Sequence, residues 1–124
     1  MKVLMVEPGR PPYETEIEGG LKSLQAAVGG DIQATYPFDD LVGLICNDES
    51  KLMGLPLNRA LYDETGQMYD IVAGNFLIVG LGEEDFTDLS PELMEKFSER
   101  FKRPEKFYRL AGEIVAVKQP LPLE

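Results

Sequence analysis

A short amphipathic helix enclosed by two glycine pairs is the feature that most constrains the fold of this chain. The segment 19–36 reads GGLKSLQAAVGGDIQATY. Apolar residues in and before it recur at intervals of four, three and four, which places them on one face of a helix: Ile17, Leu21, Leu24 and Val28. Because Gly19 and Gly20 weaken the first turn, the helix is predicted to begin at Gly20 or Leu21. Gly29 can adopt the left-handed conformation that ends a helix, after which a strand follows.

Further apolar runs predict strands on both sides of this helix. Ile32, Ala34 and Tyr36 alternate with polar residues, which is typical of a strand with one buried face. The other predicted strands cover 2–7, 42–46, a hairpin at 61–72 that turns at 63–66, 76–79 and 113–118. The run 76–79 is rich in Phe, Ile and Val, so it is expected near the centre of the sheet. The segment 51–60 has no clear period and is expected to be a loop.

A second helix is predicted between Ser90 and Pro104. Ser90 can cap the helix, and Pro91 suits its first position because no hydrogen-bonded N–H is needed there. Its apolar stripe consists of Leu93, Phe97 and Phe101. Together the elements predict an α+β fold with a mixed, mostly antiparallel sheet of about five to six strands and two helices, which are expected to cover one face.

Length, charge and cysteine content narrow the class of protein. The 124 residues fit one globular domain, assigned to 1–118, with a C-terminal tail at 119–124. The net charge of -10 and the lack of a Lys/Arg stripe argue against direct nucleic-acid binding. The apolar run 3–6 is too short for a signal peptide or a membrane span. Cys46 is the only cysteine and lies in an apolar run, so a reducing, cytoplasmic location is expected.

Several catalytic chemistries require residues that this chain lacks. It contains no histidine and one cysteine, which excludes histidine-dependent triads and a tetrahedral zinc site built from this chain alone. No phosphate-binding glycine loop occurs either. We therefore expect no cofactor and no enzymatic activity. A weaker alternative is a magnesium-dependent phosphoesterase that uses carboxylates in predicted turns, at Asp39–Asp40, Asp48–Glu49, Asp63–Glu64 and Glu83–Asp85.

Polar residues beside apolar strands are the candidate binding residues, because such groups need hydrogen-bond partners and can serve in recognition. They are Asn47, Asn58, Arg59 and Asn75. Backbone capping is the other role open to Asn47 and Asn75, since each stands next to a turn. Arg59 could hold an anionic ligand through its planar guanidinium.

A set of segments in a fixed order resembles a known family. These are 19–33, the NDExK turn at 47–51, the PxNR loop at 56–59, GNFLIVG at 74–80 and DFTDLS at 85–90. Over Lys2 to Pro104 the chain resembles the bacterial and phage domain-of-unknown-function family DUF3846. The resemblance implies a small accessory protein of phages and conjugative elements, sometimes encoded near anti-restriction genes. It supplies no catalytic residues.

Two functional hypotheses follow. The first is a non-enzymatic interaction domain of a mobile element that recognises a protein partner or a small ligand through 47–59 and 74–75. The alternative is an acidic anti-restriction or anti-defence protein, suggested by the net charge and by the family's genetic neighbourhood. The sequence alone defines neither the oligomeric state nor the order of the strands in the sheet.

Overall fold

Ten strands and two helices form within residues 1–121, the part of the chain that this computed structural model describes. The predicted α+β fold is confirmed. In chain order the elements are β1 (Lys2–Val6), β2 (Tyr13–Glu16), α1 (Leu21–Val28), β3 (Ile32–Thr35), β4 (Val42–Asn47), β5 (Leu57–Tyr62), β6 (Met68–Ala73), β7 (Phe76–Leu81), β8 (Phe86–Thr87), α2 (Pro91–Arg100), β9 (Glu105–Leu110) and β10 (Glu113–Lys118).

A six-stranded sheet forms the centre of the domain. Its strand order is β2-β1-β7-β4-β3, and the short β8 pairs with β7. The prediction that 76–79 lies at the centre is confirmed, since β7 has β1 on one side and β4 on the other. The predicted predominance of antiparallel pairing is confirmed, and every strand pair in the described part of the chain is antiparallel.

The two helices lie on opposite faces of this sheet, so the expectation that both cover one face is wrong. Val3 and Met5 of β1 point to the face where α1 packs through Leu24. The other face of the sheet packs against α2 and against the β5–β6 hairpin, and its core contains Leu4, Val6, Leu61, Val72, Met94 and Phe97. Successive side chains of a strand point to opposite faces, and β1, β4 and β7 are apolar on both. Other elements must therefore pack on both faces of these strands to keep water away from their side chains.

Local signals placed both ends of α1 and the start of α2 correctly. α1 begins at Leu21 and ends at Val28, and the cap residue Gly29 has a φ of 79°, the left-handed conformation that glycine adopts without steric cost. Ser90 caps α2 by accepting a hydrogen bond from the Leu93 N–H at 3.3 Å, and Pro91 takes the first helical position.

Strands without a clear apolar pattern were missed. β2 is largely exposed and polar, and β5 begins at Leu57 within the segment expected to be a loop. The predicted hairpin and the strand at 113–118 are confirmed, but β10 has a partner, β9, that was not predicted. β9 contacts β5, which places the β9–β10 hairpin beside the β5–β6 hairpin. Of the predicted tail, residues 122–124 lie outside the described residues.

Candidate binding cleft

Arg59 is wholly buried and uses all its N–H groups on oxygen atoms of the chain. Nε and Nη2 donate to the Phe101 carbonyl at 3.1 and 2.9 Å. Nη1 donates to the Asn58 carbonyl and to Asn58 Oδ1, at 3.3 and 2.8 Å. Nη2 also donates to the Arg10 carbonyl at 2.6 Å. Five donors therefore meet neutral oxygen atoms, which is the full hydrogen-bonding capacity of a guanidinium.

This position changes the role expected of Arg59. A side chain with no exposed surface cannot contact an anion in solvent, so the structure does not support the predicted anion clamp. Burial lowers the pKa of Arg59, and the negative charge of Glu105 acts in the opposite direction. Arg59 instead cross-links β5, the end of α2 and the loop after β1.

Asn58 is also fully buried and joins two segments of backbone. Its Nδ2 donates to the carbonyls of Val6 and Gly74 at 2.9 and 2.8 Å. Its Oδ1 accepts from Arg59, so each polar atom of its side chain has a partner. Asn58 therefore ties the end of β1 to the turn that precedes β7.

Asn47 has a related role at the end of α1. Its Nδ2 donates to the Val28 carbonyl at 3.2 Å, and its Oδ1 accepts from the Glu49 N–H at 2.8 Å. Gly30 packs so closely that a Cβ there would lie 2.9 Å from Asn47 Nδ2. The capping role proposed for this asparagine thus describes its contacts in the structure.

Each of the four candidate residues either lines one cleft of about 590 Å³ or donates a hydrogen bond to a residue that lines it. Its walls are formed by the end of α1, the loop after β1, and the turns before β5 and β7, with Ala26–Gly29, Glu7, Pro8, Arg10, Leu55, Pro56, Gly74 and Asn75 as lining residues. Asn75 lines the cleft directly and is half-buried. The other three lie behind its walls, where their amide and guanidinium groups hold the backbone in place.

Charges of both signs stand at the mouth of this cleft. Arg10 Nη1 lies 3.8 Å from Glu7 Oε1, and the Arg10 side chain is 75% exposed. Burial raises the pKa of Tyr13, and the nearby carboxylate of Glu7 adds to this shift. Apolar walls with a few polar groups at the rim are typical of sites that bind small ligands or short peptide segments.

Sequence reasoning missed Glu7 and Arg10 as members of this cleft. β1 and β7 are antiparallel, with Val6 opposite Phe76. The residue after β1 therefore lies next to the residue before β7, which brings Glu7 close to Asn75. The sequence shows that Glu7 follows one apolar run and that Asn75 precedes another. These two residues can be recognised as neighbours only when the pairing of the two strands is known.

A second cleft, of about 670 Å³, lies between the β5–β6 and β9–β10 hairpins. Glu105 is buried at its base, where it accepts from Tyr62 Oη at 2.9 Å and from the Ala60 N–H at 3.3 Å. Burial, together with the hydrogen bond to Glu105, raises the pKa of Tyr62 to about 12. Because these groups bond to one another, they serve to dock the C-terminal hairpin.

The surroundings of Cys46 and of the turn carboxylates are those of structural residues. Burial raises the pKa of Cys46, which disfavours the reactive thiolate. Asp40 accepts two hydrogen bonds from Lys96 Nζ, each 2.9 Å long. Asp63 accepts three from Thr65 and Gln67 within its own turn. Across residues 1–121 no three His, Cys, Asp or Glu side chains are grouped as a metal site would require.

A family model decides the classification. The model described as a domain of unknown function (DUF3846) matches residues 1–102. The chain belongs to the DUF3846 family. The match includes every segment of the cleft beside Asn75 and all four candidate residues, whereas β9 and β10 lie beyond it.

The remaining comparisons add little to this assignment. No curated protein and no solved structure matches the chain. Neither helix within the described range has the length and apolar character needed to cross a membrane. For this DUF3846 protein, function must therefore be inferred from the site itself.

Proposed function

We propose that this DUF3846 domain is a non-enzymatic binding module that recognises a segment of a partner protein, or a small ligand, in the cleft beside Asn75. One observation carries the proposal. Asn58 and Arg59 are fully buried, and they donate to the Val6, Gly74 and Arg10 carbonyls, which lie in or next to the walls of this cleft. Binding sites need walls that are rigid before the ligand arrives.

The energetic cost of this arrangement supports a role beyond folding. Removing a guanidinium from water is unfavourable unless all its donors are paired, and an apolar core of similar volume is often as stable. The chain uses a buried Arg59 to hold the loop that presents Glu7, Pro8 and Arg10. That loop is exposed and ends with Pro11 and Pro12, so its shape depends on this support.

The chemistry of the cleft favours binding over bond making. Its polar rim consists of Glu7, Arg10 and the amide of Asn75. A single carboxylate paired with a guanidinium has no second acid or base with which to share proton transfer. The rim instead offers both donors and acceptors, which suits the backbone of a peptide or a polar small molecule.

We further propose that this binding module acts in the cytoplasm and originates from a mobile element. A location in the cytoplasm accords with one unpaired, buried thiol at Cys46. An origin in a phage or conjugative element is part of the same proposal and rests on the family resemblance alone.

A blocking substitution tests the cleft. Ala26 is exposed on α1 and lines it, so Ala26→Trp should fill it without disturbing the core. Lys22→Trp, one turn earlier on the same exposed helix, is the matched control because Lys22 does not line the cleft. The probes are a random-peptide display library, and a fragment library followed by NMR.

We expect selected peptides or fragments to bind the wild type and Lys22→Trp equally and to lose at least about tenfold in affinity for Ala26→Trp. The proposal would be overturned if the selected molecules bound all three proteins with equal affinity, or if neither library yielded a binder. Turnover of a substrate by the purified chain would contradict its non-enzymatic part.

The acidic anti-restriction hypothesis has one observation in its favour. Within the matched region 1–102 there are 19 acidic and eight basic side chains, so the family part of the chain is more acidic than the remainder. A plasmid-cleavage assay with a restriction endonuclease tests it. Inhibition that grows with protein concentration and weakens with salt would support this second function, and unchanged cleavage at excess protein would remove it.

A further inference from the structure

Charge is divided unevenly along this chain. Residues 100–118, which contain β9 and β10, carry six of the 12 basic side chains and two of the 22 acidic ones. The rest of the chain is therefore even more acidic than the net charge of -10 indicates. The hairpin also lies beyond the family match.

One face of the β9–β10 hairpin is exposed and largely apolar. Side chains alternate along each strand, and the inner positions Glu105, Phe107, Ile114 and Ala116 are buried or half-buried. The outer face consists of three cross-strand pairs, Lys106–Val117, Tyr108–Val115 and Leu110–Glu113. Its four apolar members are between 37% and 60% exposed. An exposed apolar patch bounded by polar groups is a common mark of an interaction surface.

We propose that the outer face of the β9–β10 hairpin binds the same face of a second copy of this chain. The charges of the face are self-complementary. Lys106 lies at the base of β9 and Glu113 at the tip of β10, at opposite ends and on opposite strands. A two-fold axis that lies in the interface, crosses the strands obliquely and is perpendicular to the Lys106–Glu113 diagonal places the base of one hairpin over the tip of the other. Lys106 then meets Glu113 of the partner subunit, while Tyr108 and Val115 form an apolar centre.

A polyanion fits this surface less well than a second copy. Of the six basic residues in 100–118, four already have partners: Arg100 stacks on Phe38, Lys102 pairs with Glu99, Arg103 binds the Gln119 and Lys118 carbonyls, and Lys118 lies over Tyr62. Lys106 and Arg109 make no ion pair within residues 1–121. Two free cations on an acidic protein are few for a phosphate backbone, because affinity grows with the number of phosphates neutralised.

The size of the face indicates a weak dimer. Stable interfaces bury about 800 Å² on each partner, and three cross-strand pairs cover less than that. We therefore expect dissociation constants on the order of 10 to 100 µM. Sedimentation analysis of the full chain between about 1 and 500 µM should show a monomer that becomes a dimer.

A charge exchange tests the proposed arrangement. Lys106→Glu alone places two acids together in the dimer, and Glu113→Lys alone places two lysines together, so each variant should dimerise at least about tenfold more weakly. An equimolar mixture of the two variants restores opposite charges at both contacts. It should dimerise as strongly as the wild type. The two positions are not partners within one hairpin, so this rescue cannot arise inside a single chain.

Arg109→Glu is the matched control. It makes the same change of charge on β9, at a position whose side chain points to the opposite face from Lys106. We expect its dimerisation to stay within about twofold of the wild type. A wild type that is monomeric throughout, or a mixture that stays monomeric, would overturn the proposal. Salt-sensitive binding of a single-stranded oligonucleotide by the monomer would also overturn it and would identify the hairpin as a polyanion site.

Discussion

Arg59 donates to the carbonyl oxygen of Phe101 from two nitrogens, Nε at 3.1 Å and Nη2 at 2.9 Å. Phe101 is the C-cap residue of α2. Carbonyl groups at this end of a helix lack helical partners and carry partial negative charge. A buried guanidinium at this point satisfies the carbonyl and complements the helix dipole. It also connects α2 to β5, although the two are distant in sequence.

Replacing Arg59 should strongly destabilise the fold. Arg59→Met keeps the length of the side chain but leaves the buried carbonyl of Phe101 and the partly buried carbonyl of Arg10 without these donors. We expect a loss of about 3 kcal/mol in the free energy of unfolding, measured with urea. Arg109→Met, on the exposed hairpin, should change it by less than about 0.5 kcal/mol. A loss below about 1 kcal/mol for Arg59→Met would contradict the role of the buried cross-link.

The contact between Gly30 and Asn47 should appear as coupling between two substitutions. Gly30→Ala places a Cβ 2.9 Å from Asn47 Nδ2 and should cost about 1 to 2 kcal/mol, since the amide is held by Val28. In an Asn47→Ala background the same change should cost less, because the obstructing atom is gone. A double-mutant cycle in urea measures the difference. Additive effects would show that the two residues do not constrain one another.

Stability should fall at high pH through Tyr62. Its pKa is raised to about 12 in the folded chain from 10.0, so the unfolded chain releases the proton first. The stabilisation is complete below about pH 10 and is lost as the pH rises towards 12. Urea unfolding of the wild type and Tyr62→Phe across this window measures the effect. Tyr62→Phe should flatten the pH dependence. Equal slopes for the two proteins would refute the assignment.

Glu105 should control the docking of the C-terminal hairpin. Glu105→Met keeps the approximate length of the side chain but has no oxygen atom, so the Tyr62 hydroxyl and the Ala60 N–H both lose their acceptor. We expect amide hydrogen exchange to accelerate about tenfold in β9 and β10 and to stay unchanged in β7. Faster exchange throughout the main sheet would show that the hairpin and the sheet open as one unit.

Much of the fold follows from short-range patterns. The spacing of Leu24 and Val28, the glycine after them, and the Ser90–Pro91 pair define where α1 and α2 begin or end, since these signals act within a few residues. The apolar run of β7 indicated a central strand because the side chains on both of its faces must be packed against other elements. β2 and β9 carry no such signal, since few of their side chains are buried.

The residue types of the site were visible in the sequence, and so was a capping role for Asn47, but the roles of Asn58 and Arg59 were not. Asn47, Asn58, Arg59 and Asn75 stand out as polar residues near apolar strands, and the composition without histidine narrows the chemistry. Only the tertiary structure shows that Arg59 is interior while Asn75 borders a cleft. Burial and hydrogen-bond partners depend on contacts such as Arg59 with Phe101, between segments that the local sequence cannot bring together.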